Sequence, residues 1–374
     1  MSFRVVVLGG YGNFGARIAR TLARDPAMAV IVVGREAARA VDTATAIALE
    51  CGNRVDAAAF DVSARDIGAR LRMLEPNLVI HTCGPFQTRD YGVARAALSV
   101  GAHYVDLADA RKFVCGIRAI DDAARSRELL VVSGASTVPG LSGTVIDAFA
   151  HEFDALQSID LGIAPGNRSP RGSATVASVA SYVGRQFGVW NGGVWQPAYG
   201  WQRLRRHRYP PAVGTRWLAD CDVPDLELFP ERYPGVQSVH FGAGLELPFL
   251  HFGLWLLSWP SRWRWIAPLE AHAERLRRSS DWFAKLGTDV GAMHVEMHGF
   301  RRGHRLDLLW TLVAGHGDGP QIPCTAAIVI ARKLAAGTLV ARGALPCIGL
   351  FSLEECLREL EGFDVRTIVE RTLI

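Results

Sequence analysis

At 374 residues the chain is long enough for about two domains and a sizeable core. Its hydrophobic content of 49% and charged content of 21% fit an ordinary globular protein, with no low-complexity tract and no repeat of solenoid period. The net charge of +4 is nearly all arginine, since Lys112, Lys285 and Lys333 are the only lysines, and it is too small and scattered to argue for a nucleic-acid partner.

Arg4–Leu8 (RVVVL) is a short apolar run that predicts a buried parallel strand. It runs from Met1 with no room for a targeting sequence, so none is expected. A glycine-rich turn follows, then a helical pattern with Phe14, Ile18, Ala19 and Leu22 on one face. Ala29–Val33 reads as the second strand and Arg35–Cys51 as an alanine-rich helix. Arg54–Asp61, Leu78–Thr82, His103–Leu107 and Leu129–Ser133 read as further strands. Helices are predicted over Ala64–Leu74, Tyr91–Val100 and Lys112–Ser126. This alternation predicts a Rossmann-type doubly wound parallel sheet, an α/β fold.

After about Leu141 the rhythm changes. His294–His298 and Arg305–Ala314 look like an antiparallel hairpin, with Leu306, Leu308, Trp310 and Leu312 on one face. A second α+β domain with a largely antiparallel sheet follows from that pattern. Pro268–Leu286 reads as a helix with Pro near its start and Gly287 past its end. Thr325–Ala336 is another helix, and Ser352 with Glu355 makes a capping box for a last one. The expected division is 1–145 for the nucleotide domain and 146–324 for a substrate and dimerisation domain.

The turn Gly9-Gly10-Tyr11-Gly12-Asn13-Phe14-Gly15 joins the first strand to the first helix. Gly9 permits a sharp turn, Gly12 a close approach of backbone to pyrophosphate, and Gly15 close helix–strand packing. Free amides at the helix start then face the phosphates. At the end of the second strand an acidic residue would bind both ribose hydroxyls, but Gly34-Arg35 stands there. A guanidinium pairs with a 2′-phosphate, so NADP(H) is expected over NAD(H), although the adjacent Glu36 could take a ribose hydroxyl. Asp61, closing the third strand, is counted with the cofactor positions.

Seven cysteines, odd in number and without a CxxC pair, fit a reducing cytoplasm and argue against a disulfide framework or a zinc site. Arg203, Arg205, Arg206, His207 and Arg208 form a basic cluster, either a solvated face or a site for an anionic substrate or phospholipid headgroup. Leu245–Ile266 is conspicuously apolar and carries Trp255, Trp259, Trp263 and Trp265. Its uninterrupted part is shorter than the ~20 residues of a spanning helix. It reads as buried core or subunit interface, as the wall of an apolar pocket, or as an interfacial membrane contact.

Several segments coincide with a known pattern. GGYGNFG is followed by HTCGPFQTRDYGVARAALSVGAHYVDLAD (His81–Asp109), SGASTVPGLSGTVID (Ser133–Asp147) and GALPCIGLFSLEECLREL (Gly343–Leu360). Together they resemble the saccharopine dehydrogenase-like (saccharopine reductase-like) family, closely over about 3–147 and more loosely at the end. The resemblance implies a Rossmann domain, an inserted substrate domain, a C-terminal segment (325–374) that packs back on the Rossmann domain, and NAD(P)-linked oxidoreductase chemistry, often at a C–N bond. It also implies that Gly84, Pro85 and Phe86 contact the cofactor. Cys83 belongs to the same loop and reads as packing rather than nucleophile, because no base stands beside it.

Tyr104, Asp106 and Asp109 sit at and after the fifth strand as candidate proton donors or amine-binding groups, or else as a helix cap and a buried acceptor. Ser136, Thr137, Pro139 and Gly140 follow the sixth strand, where helix-start amides could bind a substrate carboxylate. His207, His240 and His294 are possible donors from the second domain. His294 and His298 share a strand face with Glu296 between them, and no third ligand makes a metal site. The expected activity is NADP(H)-dependent hydride transfer to or from a carbonyl or imine carbon, in a homodimer, with a substrate other than saccharopine. The competing reading is a nucleotide-binding protein without strong catalysis that docks on a membrane or partner through 245–266.

Overall fold

The computed structural model describes residues 2–170, 172–267, 269–272, 278 and 282–374. The strands, in chain order, are β1 (Phe3–Leu8), β2 (Met28–Gly34), β3 (Val55–Ala59), β4 (Leu78–His81), β5 (His103–Asp106) and β6 (Leu130–Ser133). There follow β7 (Ala155–Ala164), β8 (Gln186–Asn191), β9 (Val194–Tyr199), β10 (Arg205–Arg208), β11 (Thr215–Asp220) and β12 (Ser238–Ala243). The last are β13 (Gly291–Arg301), β14 (His304–Ala314), β15 (Gly343–Pro346) and β16 (Val365–Leu373). Two compact units result: Met1–Leu141 with Gln321–Glu359, and Ser142–Pro320 with Leu360–Ile374.

The first unit is a seven-stranded sheet in the order β15-β6-β5-β4-β1-β2-β3, with every pairing parallel. Parallel strands buried on both faces must be apolar throughout, and Val5, Val6, Val7 and Leu8 of β1 are fully buried. Alternation sends Val6 and Leu8 to one face, where they pack with Val79, Tyr104 and Val131 beneath Leu71, Ala97 and Ile117. The order reverses on either side of β1 and β4, a switch point of the Rossmann kind, and the carboxyl edge there is where ligands bind. The helix expected over Lys112–Ser126 is instead three short pieces, Arg111–Gly116, Ile117–Ile120 and Asp121–Arg125, the middle one a 3₁₀ turn.

The second unit carries a mixed sheet along β10-β11-β12-β7-β13-β14-β16, with β8 and β9 attached through β12. Only β12 with β7 is parallel in it; the other pairings are antiparallel. β13 and β14 form the expected hairpin, turning at Arg302 and Gly303, both with φ > 0. Leu306, Leu308, Trp310 and Leu312 are all buried on one face.

One expectation for the C-terminus needs correction. Gln321–Glu359 belongs to the first unit, including the capping box at Ser352 and the helix Leu353–Arg358. Val365–Leu373 does not. It pairs antiparallel along β14 from Ala314↔Val365 to Leu306↔Leu373, because β14 is otherwise an open edge and this alternating, β-branched segment can complete its ladder. The helix expected over Pro268–Leu286 falls largely outside the described residues. Among the described residues no helix is long and apolar enough to cross a membrane.

Candidate functional site

The glycine turn is fastened to the sheet by its own backbone. Gly9 and Gly10 both donate to the Val33 carbonyl, at 2.8 and 2.9 Å, and Gly12 donates to the Gly9 carbonyl at 2.8 Å. Gly9 has φ +78°, and a Cβ there would lie 2.6 Å from Thr82 Oγ1 and 2.9 Å from Cys83 Sγ. A Cβ at Gly15 would run into the Gly9 carbonyl, so only glycine lets the helix Gly15–Ala23 start against the turn. Among the described residues the amides of Tyr11, Phe14 and Gly15 donate to no carbonyl, and no side chain caps the helix. Uncapped amides at a helix start suit an anion. The residues present therefore fit a dinucleotide pyrophosphate. Asn13 is held aside by Arg17, whose Nη1 donates to the Asn13 side-chain oxygen at 2.7 Å.

Tyr11 organises the ribose end. Its hydroxyl accepts the amides of Arg35 at 3.0 Å and Glu36 at 3.2 Å. Its ring lies where any side chain on Gly34 would have to be. The Arg39 guanidinium sits 4.4 Å from the centre of that ring and pairs with Glu36 at 3.1 Å. Glu36 is thus engaged by Arg39. Asp61 accepts the Ser63 amide at 2.8 Å, which, with Arg35 and Arg89 nearby, holds its carboxyl below the ordinary range. Arg89 in turn donates to Ser63 Oγ at 2.9 Å. Three guanidiniums, Arg35, Arg39 and Arg89, gather at the carboxyl ends of β2 and β3. Sequence reasoning named Arg35 and not the other two. Arg39 stands one helical turn after Arg35, a spacing that could have flagged it.

The loop after β4 divides. Thr82, also missed, ties β4 to β1 through its hydroxyl, which donates to the Leu8 carbonyl at 2.8 Å. Cys83 packs beside Gly9, and burial pushes its thiol up to about 11, so it is no nucleophile at neutral pH. The Gly84–Pro85 peptide is cis. Phe86 was expected to touch the cofactor, but its side chain is 4% exposed and packs on His81 and Phe113, with ring centres 5.1 and 5.3 Å away. Gly84 and Pro85 remain at the carboxyl edge.

Tyr104 and Asp106 lie in the core. Tyr104 is 1% exposed, and its hydroxyl is 2.9 Å from Nδ1 of His81, whose burial lowers it to about 3 and keeps it neutral. One Asp106 oxygen accepts the Ala108 amide, the Ser133 hydroxyl and the Gly134 amide, at 3.0, 2.9 and 2.9 Å. Burial raises Asp106 to about 6 against those three bonds. These two were read as candidates for direct chemistry or as a cap and buried acceptor, and their bonds tie β5 to β4 and β6. Asp109 alone of the three is half-buried, accepting from Gln87 Nε2 at 3.3 Å.

Ser136 and Thr137 are half-buried after β6. Pro139 and Gly140 are buried: Pro139 packs on Gly134, and a Cβ on Gly140 would lie 3.0 Å from Ala326 Cβ and 3.5 Å from Cys347 Sγ.

The second unit gathers a polar cluster of its own. His294 of β13 is 1% exposed, with Nδ1 2.8 Å from the Tyr209 hydroxyl and Nε2 3.5 Å from Asp160. The His207 ring stacks on His294 with centres 3.6 Å apart. Arg205 reaches Asp160 at 3.2 Å. Burial would raise Asp160, but His294 and Arg205 outweigh it and hold the carboxyl below its usual range. Burial, with His294 alongside, lowers His207 to about 4. His240 lies across from Asp160 in the β12–β7 register. Two of the three expected histidines, His207 and His294, therefore touch, and Asp160, Tyr209 and Arg205 were not anticipated. His298 bonds Asp307 at 2.8 Å, and among the described residues no group of His, Cys, Asp and Glu could hold a metal ion.

Residues 5–132 match the family model described as the saccharopine dehydrogenase NADP binding domain. In fold the chain is similar to apo saccharopine dehydrogenase (L-Glu forming) from Saccharomyces cerevisiae, at a TM-score of 0.67 and 14% identity, covering 99% of this chain and 100% of that one. It is similar also to the homospermidine synthase of Legionella pneumophila in complex with NAD, at a TM-score of 0.62 and 10% identity, covering 100% of this chain and 92% of that one. No curated protein matches it in sequence.

Proposed function

We propose that this chain, a saccharopine dehydrogenase-like NAD(P)-dependent oxidoreductase, moves a hydride between NADP(H) and the carbonyl or imine carbon of a small or partly apolar substrate. The observation that carries the reading is the turn itself, with three helix-start amides donating to no carbonyl and the guanidiniums of Arg35 and Arg39 at its ribose end. The turn amides would hold the pyrophosphate. Arg35, with Arg39 fixed on the Tyr11 ring, would receive the 2′-phosphate. Among the cofactor positions Gly9, Gly10, Gly12 and Gly15 shape the turn, while Gly84 and Pro85 shape the facing loop.

When bound, the cofactor supplies or accepts the hydride. The chain's own part is to hold the acceptor carbon, exclude water and manage one proton. Of the residues singled out for that task, Asp109 with Gln87 keeps its place at the carboxyl edge. Ser136 and Thr137 are the proposed substrate contacts there. The apolar content of the second domain that suggested a homodimer includes the exposed side chains Phe249, Leu256 and Leu257 of the helix Pro248–Arg262.

Titration of the purified protein with NADPH and NADH, followed by tryptophan fluorescence, tests the reading. NADPH is expected to bind at least tenfold tighter, a difference of about 1.4 kcal/mol. Binding of neither would sink it; equal binding would sink the preference alone. Imines, keto acids and apolar ketones are then screened for NADPH oxidation. Binding without turnover of any class would favour the competing reading of a nucleotide-binding protein.

A further inference from the structure

The helix Pro248–Arg262 buries two polar side chains completely and leaves several large apolar ones exposed. The residues it buries are His251 and Ser258, at 0% exposure each. His251 Nδ1 accepts the Leu245 amide at 3.3 Å, and the Ser261 hydroxyl donates to the Val183 carbonyl at 2.8 Å. These polar side chains and Leu254 fasten the helix, while other large apolar side chains stay exposed. Phe249 is 50% exposed, Leu256 64%, Trp263 51% and Trp265 75%. Single exposed apolar residues are ordinary, but a continuous run of this size marks a contact surface.

The surface does not end with the helix. Its rings touch in file from Phe252 through Trp255 and Trp259 to Trp263 and Trp265, with centres 5.0 to 6.5 Å apart. At the other end Phe252 meets Trp217 of β11 at 5.4 Å, and the Arg206 guanidinium lies 5.5 Å from the Trp217 ring. Arg206 also lines a cavity of about 640 Å³ with Arg208 and Thr215. Both arginines are exposed, and among the described residues neither pairs with a carboxylate. Arg262 and Arg264 edge the tryptophan end, Arg262 resting 3.7 Å from the Tyr199 ring centre. Leu247–Ile266 contains no Asp or Glu. The basic cluster and the apolar stretch, forty residues apart in the chain, are one surface.

We infer that this face of the second unit docks on an anionic phospholipid bilayer. The exposed Phe, Leu and Trp side chains enter the boundary between headgroups and acyl chains, where indole rings are favoured. The Arg206–Arg208 cavity takes a lipid phosphate, and Arg262 and Arg264 meet the headgroups on the far side. Charge decides against a second copy of the chain: a two-fold partner on the same face would bring arginines to arginines. The inference stands independently of the proposed reaction, since none of these residues belongs to the nucleotide site.

The test is co-sedimentation of the full chain with phosphatidylcholine vesicles, with and without phosphatidylserine, at low and high salt. Binding is expected only with the anionic lipid, with a blue shift of tryptophan emission and a loss of binding as salt rises. The double variant Trp263→Ala/Trp265→Ala should lose binding to the anionic vesicles, and Arg206→Ala/Arg208→Ala should weaken it about tenfold or more. NADPH affinity, measured on each variant, should stay unchanged and report that it folds. No binding to either vesicle overturns the inference. So does equal binding to both, binding indifferent to the folded variants, or a dimer in sedimentation equilibrium that the tryptophan variant converts to monomer.

Discussion

The Tyr11 hydroxyl accepts the Arg35 backbone amide at 3.0 Å, and through that bond the glycine turn shapes the loop proposed to meet the ribose. The same ring occupies the space beside Gly34 and carries the Arg39 guanidinium on its face. One side chain of the turn thus fixes the backbone of one arginine and the side chain of another.

Gly34→Ala tests that arrangement, because its Cβ would collide with the Tyr11 ring. The ring must move, and the Arg35 and Glu36 amides lose their acceptor. NADPH binding is expected to weaken at least tenfold, about 1.4 kcal/mol, in a fluorescence titration. An unchanged affinity would show that Tyr11 can leave without disturbing the site.

Arg35→Asp puts a carboxylate where a 2′-phosphate is proposed to sit. NADPH affinity should fall by tenfold or more while NADH affinity falls much less, since only NADPH carries the repelled phosphate. Equal losses for both cofactors would remove Arg35 from the role.

Cys83 is shielded and its thiol raised to about 11, so little thiolate exists at pH 8. Iodoacetamide should leave NADPH binding intact over a time that modifies an unperturbed thiol. Rapid loss of binding, prevented by Cys83→Ala, would contradict the packing assignment.

Asp225 of the second unit is fully buried, accepts the Ser142 hydroxyl, and is raised by burial to about 7. A raised carboxyl pKa means that the folded state holds a proton the unfolded chain releases above about 4. Its contribution to stability is complete below pH 4 and is lost as pH rises to 7. Asp225→Asn should flatten that decline, gaining stability relative to the parent at pH 8 by a few kcal/mol in urea unfolding. Parallel pH profiles for the two proteins would count against the assignment.

The turn from Gly9 to Gly15 could be recognised from the sequence because its requirements are local. Gly9 needs positive φ, and Gly15 meets the Gly9 carbonyl six residues away. Arg35 was found by its distance along one strand from that turn. For Tyr104 and Asp106 the sequence left open chemistry or a buried structural role. They stand at the carboxyl end of β5, but their side chains turn inward, to His81 of β4 and to Ser133 of β6.

By itself the sequence determined the alternation of strand and helix, the phosphate turn, the hairpin of β13 and β14 and the capping box at Ser352, all set by periodicity and turn chemistry over a few residues. Only the tertiary structure decided which polar groups meet and which apolar residues stay outside. Tyr209 and His294 are 85 residues apart in the chain and bond although three strands stand between β10 and β13 in the sheet order. The tryptophans after Pro248 and the arginines of β10 became one surface because Trp217 bridges them. Local pattern records what a residue can do on a helix or strand, and burial records what the rest of the chain packs against it.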